Sequence, residues 1–324
     1  MDNNEVFLQK KSKYKETFEQ GVKIMAIAVS DYAERIICND ITVGQLQQKS
    51  LEILTYFQSI CKEHSLRYWC GGGTCIGALR HKGFIPWDDD IDVFMPRPDY
   101  EKLYKIWNDV ADTKRYALSR TDKNKNNHQT DMQLVDLNTT FINRHSVDVD
   151  TCHGISIDII PFEGCPDSKL SKLLQIYHSI MYSVFNVQRL PDHQGKLLRT
   201  ATKLALAAVK NPERRYKLWK KHEKKMARYD FYTSKTVKET VTSFRALFYS
   251  YPREYFEVME VPFENITVNI PVGAHDYLTR VFGDYMSLPD EKYRTAKHDV
   301  VYMSLDEPFS KFRGIYYCVE QNKK

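Results

Sequence analysis

The chain has 324 residues, 42% hydrophobic and 27% charged, a composition that argues against disorder and is sufficient to bury a substantial core. Lys and Arg number 47 against 42 Asp and Glu, a net +5. That modest excess, with no recognised binding motif, speaks against nucleic acid and favours an anionic substrate or a membrane surface.

In chain order, residues 1–41 read as a leading helical segment holding the apolar patch Ile24–Val29. A helix over 42–64 follows, with Thr42 as N-cap and Leu51, Leu54, Phe57, Ile60 and Cys61 at helical spacing. Arg67 to Cys70 is a short strand, Gly71-Gly72-Gly73 a turn, and a helix begins near Thr74. Asp90 to Val93 alternates like a strand, and Pro98 opens a helix to about Val110. Strands are expected near Tyr116–Ser119, Gln133–Asp136 and Ile155–Ile160, with a polar loop over Thr121–Thr130. Four helices then dominate: Leu170–Leu190, Lys196–Lys210, Pro212–Tyr229 and Val237–Tyr249. The strands Val258–Val261 and Ile266–Ile270, joined by Pro262 to Asn265, return to the fold before a helix over Ala274–Phe282 capped by Gly283. The expected class is α+β with a small mixed sheet. It divides into a core over 42–167, a helical insertion over 168–250 and a part over 251–324 that completes the catalytic domain.

The chemistry concentrates between Tyr68 and Tyr100. A strand, a glycine turn and a helix N-terminus present free N–H groups to an anion, so Gly72, Gly73 and Thr74 are candidate phosphate contacts. Asp90 and Asp92 share one face of their strand, about 7 Å apart. Apolar Ile91, Val93 and Phe94 between them place the carboxylates at the edge of a core, where like charges persist if a cation neutralises them. Asp158, inside the apolar run from Ile155 to Ile160, is costly unless paired or liganded. Asp90, Asp92 and Asp158 therefore form a candidate site for one or two Mg²⁺, with Mn²⁺ as a substitute. The competing reading makes Asp158 a buried partner of Arg or Lys. Asp88 shares the alternation and ranks above Asp89, which is left to solvent. Arg80 and His81 are candidate phosphate contacts, and Lys82 balances local acid. His298 divides between a donor-phosphate contact and an ordinary surface histidine.

The run GGGTCIGALRHKGFIPWDDDIDVFMPRPDYEKL resembles the signature of the LicD and fukutin-related phosphotransferases. Val135–Phe141, Gly154–Pro161 and the stretch FENITVNIPVGAHDYLTRVFGDYMSLPDEKYRTAKHD are similar to the same family. The resemblance implies a core like that of polymerase-β-type nucleotidyltransferases. It also implies Mg²⁺-dependent transfer of a phospho-alcohol, such as phosphocholine or ribitol phosphate, from a CDP-alcohol donor to a hydroxyl of a cell-surface glycan or its lipid-linked precursor. Teichoic acid and lipopolysaccharide are acceptors of that kind. The same residues would equally serve nucleotidyl transfer, and a noncatalytic nucleotide- or glycan-binding module is a further alternative.

Seven cysteines at irregular spacing do not make a disulfide framework and point to reduced thiols in the cytoplasm. The charged start is unlike a secretory signal, and no apolar run reaches the ~18 residues of a membrane span. A lipid-linked acceptor would then be met at the inner face of the membrane. The basic stretch Lys196–Lys225 reads either as a peripheral membrane contact or as a solvated helical face.

Overall fold

The computed structural model describes residues 30–190, 196–241 and 244–320. The predicted leading segment lies outside these residues up to position 29. From Ile36 to Thr42 the chain forms a hairpin, β1 (Ile36–Cys38) with β2 (Ile41–Thr42), which the sequence reading missed. Its turn residues Asn39 and Asp40 both have positive φ, a geometry these side chains tolerate better than most. Thr42 caps the helix Val43–Glu63 through a capping box with Gln45, and that helix buries Leu51, Leu54, Phe57, Ile60 and Cys61, as their spacing predicts.

The central sheet is built from β3 (Trp69–Cys70), β4 (Asp92–Pro96), β5 (Tyr116–Ser119), β6 (Met132–Asp136), β8 (Ser156–Cys165), β9 (Thr236–Glu239) and β10 (Tyr251–Pro252). Strand β7 (Thr140–Asn143) lies outside it. Strand β8 is the spine. It runs parallel to β4, while its other edge pairs antiparallel first with β6 and then with β9. The sheet is therefore mixed, and the class is α+β. Helix Gly72–Arg80 follows β3, and helix Arg97–Val110 follows β4. Trp69, Phe94, Phe162 and Ile159 join Leu54 and Phe57 in one continuous core.

Helices Lys169–Val187, Lys196–Ala208 and Pro212–Met226 occupy the predicted helical stretch. The predicted helix over Val237–Tyr249 is absent. Its start is β9, which completes the edge of β8, and its end is a 3₁₀ turn, Ala246–Phe248. Pairing to β8 and β10 offers the backbone of Val237 partners on both sides, and this overrides local propensity. Strand β11 (Val258–Phe263) turns at Glu264 and Asn265 into β12 (Ile266–Pro271), so Pro262 and Phe263 belong to the strand rather than the joint. Helix Ala274–Phe282 ends at Gly283, whose φ is +74°. Strand β13 (Val300–Ser304) then pairs with β7.

Candidate active site

Parallel pairing of β4 with β8 sets Asp92 opposite Asp158, and register partners on adjacent strands share a face. On the other side of β8, Gln133 is in register with Asp158, and its Nε2 donates to Asp158 Oδ1 at 2.8 Å. The glycine turn backs directly onto this edge. Gly71 N–H donates to the Asp92 carbonyl at 2.9 Å, and Asp92 N–H donates to Thr74 Oγ1 at 2.9 Å. A Cβ on Gly72 would lie 2.8 Å from Asp92 Oδ2, and one on Gly73 would lie 2.6 Å from Asp88 Oδ2. The glycines thus give the carboxylates room to close on the turn, and Gly72 adopts φ +43°. One of the donors expected to be free is engaged, since Gly72 N–H donates to Tyr277 Oη at 3.3 Å.

Strand β4 begins only at Asp92, so the alternation read through Asp88 and Asp90 does not hold. Asp88 N–H instead closes a turn on the Ile85 carbonyl. This corrects the ranking of the aspartates. Asp89, expected in solvent, is buried, and its oxygens accept from Lys297 N–H (3.1 Å) and His298 N–H (2.9 Å). His298 Nδ1 lies 3.2 Å from Asp89 Oδ2. Ligand atoms of Asp89, Asp90 and His298 come within 4.8 Å of one another, a spacing at which an ion fits.

Electrostatics separate Asp89 from its neighbours. Burial raises its pKa, but the hydrogen bonds from His298 and Lys297 outweigh burial and hold it below the ordinary value. Burial and repulsion from nearby carboxylates push Asp88 and Asp92 well up. Asp90 rises to about 6, chiefly by burial, against the lowering pull of His298. Asp158 is also raised by burial, although the Gln133 hydrogen bond opposes it. Asp131, just before β6, rises to about 8 through burial and the Asp158 charge. His298, its ring ion-paired with Asp89 and facing Asp90 and Asp158, is raised to about 9.

Asp90, Asp158 and His298 line a cavity of 170 Å³ together with Gln129, Gln133 and Arg189. The guanidinium of Arg189 has no ion-pair partner among the described residues. Arg80 and His81 are not available in the way expected. Both are buried, Arg80 donates to the carbonyls of Tyr285 (2.6 Å) and Ser287 (3.1 Å), and its Nε donates to His81 Nε2 at 2.9 Å. His81, its pKa lowered to about 3 by burial and by Arg80, is neutral. The pair braces helix Gly72–Arg80 against the C-terminal loop. Sequence reasoning passed over Asp131, Gln133 and Arg189. The spacing of Asp131 and Gln133, two apart at the start of a strand, was the available signal; Arg189, beyond a helix end, offered none.

Residues 65–172 match the family described as LicD/FKTN/FKRP, nucleotidyltransferase domain. The chain carries a domain of the LicD family. Over 266 residues it is 29% identical to the lipopolysaccharide cholinephosphotransferase LicD of Haemophilus influenzae, covering 80% of this chain and 96% of that protein. A shorter likeness, 35% over 66 residues, links it to an uncharacterized protein of Rickettsia prowazekii, covering 20% of this chain and 22% of that protein. The LicD-type domain spans β3 to the start of helix Lys169–Val187 and so contains Asp88 to Asp92, Asp131 and Asp158. His298 and Arg189 come from outside it. No described helix is long and apolar enough to cross a membrane.

Proposed function

We propose that the protein transfers a phospho-alcohol, phosphocholine or a close analogue, from a CDP-alcohol to a hydroxyl of a glycan or its lipid-linked precursor, releasing CMP. The supporting observation is the register pair Asp92 and Asp158 within a carboxylate cluster that outnumbers the cations near it, inside a LicD-type domain whose full-length relative is named as a cholinephosphotransferase. The fold is taken as a polymerase-β-like nucleotidyltransferase core carrying a helical insertion, with the C-terminal part completing the site.

Crowded oxygen donors whose pKa values are raised, chiefly by burial and at Asp90 and Asp92 also by neighbouring carboxylates, fit a hard divalent cation. Asp90, Asp92 and Asp158 would hold Mg²⁺, which would supply positive charge to the oxygens of the transferred phosphate. The chain's own residues do the rest. Gln133 fixes one oxygen of Asp158 and leaves the other to accept the proton of the acceptor hydroxyl. The hydroxyl oxygen forms a bond to the phosphorus bearing the alcohol, and the bond from that phosphorus to the CMP oxygen breaks. His298, cationic at neutral pH and fixed by Asp89, and Arg189 are placed to hold phosphate oxygens. The first helical turn, Gly73 and Thr74 included, adds N–H groups beside them.

Incubation with Mg²⁺, a glycan acceptor and each of CDP-choline, CDP-ribitol, CDP-glycerol and CDP-ethanolamine tests the proposal. CMP should appear with one donor and phospho-alcohol should appear on the acceptor. A product carrying nucleotide would replace this reading with nucleotidyl transfer. Binding of the donors without turnover would favour the noncatalytic module.

A further inference from the structure

Helix Lys169–Val187 buries Gln175, Ser179 and Asn186 beside Tyr182 and Phe185, yet leaves large apolar side chains exposed over its first turns, where a surface helix is ordinarily polar. Inside, Gln175 donates to the carbonyls of Gly164 (2.8 Å) and Met226 (2.9 Å), and Asn186 donates to that of Gln129 at 2.7 Å. Ser179 is also fully buried. Outside, Leu170, Leu173, Leu174 and Tyr177 are 69%, 61%, 44% and 49% exposed. Their spacing of three, four and seven residues makes one continuous stripe. The 3₁₀ turn Ala246–Phe248 packs on the same helix. Near it the exposed rings of Phe244 and Phe248 stand 5.4 Å apart. Among the described residues nothing covers this surface.

One flank of the stripe is cationic. The rings of Tyr177 and His178 are 5.2 Å apart, and His178 Nδ1 meets His222 Nδ1 at 2.9 Å. Helix Pro212–Met226 thereby lies alongside, and its exposed Lys221 and Lys225, with Arg228 beyond it, are near enough to act on the charge of His178.

We infer that the Leu170–Tyr177 stripe, with Lys221, Lys225 and Arg228 beside it, is a docking face for an anionic lipid bilayer. Leucines and a tyrosine enter the headgroup boundary while lysine and arginine stems reach the phosphates, the pattern of an interfacial helix. A second copy is the poorer occupant. It offers no negative charge to Lys221, Lys225 and Arg228, because its own copy of this face carries the same cations. The inference locates the membrane contact on helix Lys169–Val187 rather than on the basic stretch Lys196–Lys225 alone, and it does not depend on the transfer reaction.

The full chain should sediment with vesicles of phosphatidylglycerol and phosphatidylethanolamine at low salt, and much less with phosphatidylcholine alone. Leu173→Gln combined with Leu174→Gln should weaken partitioning at least about tenfold without lowering the melting temperature, because both side chains are exposed. Lys221→Gln with Lys225→Gln should weaken it chiefly at low salt. Absence of wild-type binding at low salt, or unchanged partitioning of the leucine variant, would overturn the inference. So would a dimer, seen by sedimentation velocity, that the leucine substitutions dissociate while vesicle binding stays as it was.

Discussion

Strand β8 carries carboxylates at two places five residues apart, half-buried Asp158 and fully buried Glu163, and they are accommodated in opposite ways. Glu163 Oε1 accepts from both Nε and Nη2 of Arg97. Arg120 bridges Glu101 at 2.8 Å and Glu223 at 2.7 Å, and Lys220 also pairs with Glu223. Three cations, Arg97, Arg120 and Lys220, thus face three acids, Glu101, Glu163 and Glu223. Arg97 and Arg120 also lie over the Tyr100 ring, at 5.0 and 4.8 Å. At Asp158 the sum does not close. Asp88, Asp90, Asp92, Asp131 and Asp158 act on one another, and the cations that reach them are fewer: His298, already paired with Asp89, and, at Asp88 alone, Lys297 and Arg80. A balanced buried network holds a fold together; an unbalanced one leaves a place for a ligand of opposite charge.

That contrast is sharpest under isosteric neutralisation. Asp92→Asn or Asp158→Asn should cut turnover about a thousandfold or more, the equivalent of about 4 kcal/mol of transition-state stabilisation. The metal-free protein should melt no lower than wild type, because a repelled charge has been removed. Glu163→Gln should do the reverse. Breaking its pair leaves Arg97 buried without its closest acid, at a cost of about 3 kcal/mol. Turnover per folded molecule should be preserved. Melting curves and CMP release on the same samples decide it, and the division between the two regions fails if Asp158→Asn destabilises as much as Glu163→Gln.

Much of this was legible in advance because short-range rules governed it. The Thr42 cap, the apolar face from Leu51 to Cys61, the strand Tyr116–Ser119 and the Gly283 stop all depend on neighbours within a few residues. The carboxylates Asp90, Asp92 and Asp158 were visible because an acid inside an apolar run is conspicuous. What was missed depends on partners far along the chain. Strand β9 is a strand because β8 has an open edge some seventy residues earlier. Arg80 looked like a phosphate cation until the carbonyls of Tyr285 and Ser287, about two hundred residues away, occupied it. The exposure of the leucines from 170 to 174 likewise depends on tertiary packing, because their helical spacing alone does not say which face is covered.

Arg189 extends the comparison to the cavity, where among the described residues it is a cation without an acid instead of an acid without a cation. Arg189→Gln should raise KM for the CDP-alcohol about tenfold or more and leave kcat within a few-fold. A charge-assisted hydrogen bond to a bound phosphate contributes about 2 kcal/mol in ground state and transition state alike. An unchanged KM would remove Arg189 from the donor site. A fall in kcat alone would assign it to the chemical step.

The smallest effect has the most telling sign, and it is read as the stability of wild type relative to a neutral variant across pH, with chelator present. Asp90 has its pKa raised from 3.8 to about 6, mainly by burial. The unfolded chain therefore releases that proton first. Relative to Asp90→Asn, wild type should lose stability as pH rises from about 4 to about 6 and change no further above that. Glu101 has its pKa lowered from 4.5 to about 2, because the hydrogen bond and charge of Arg120 outweigh burial. Relative to Glu101→Gln, the wild-type advantage should be complete above about 4.5 and disappear as pH falls toward 2. Adding Mg²⁺ at neutral pH should remove the Asp90 deficit and leave the Glu101 difference untouched, since only the unbalanced cluster has a place for the cation. If the two gaps run parallel with pH, or Mg²⁺ shifts both equally, the cluster at the head of β8 is no different in kind from the network at its tail.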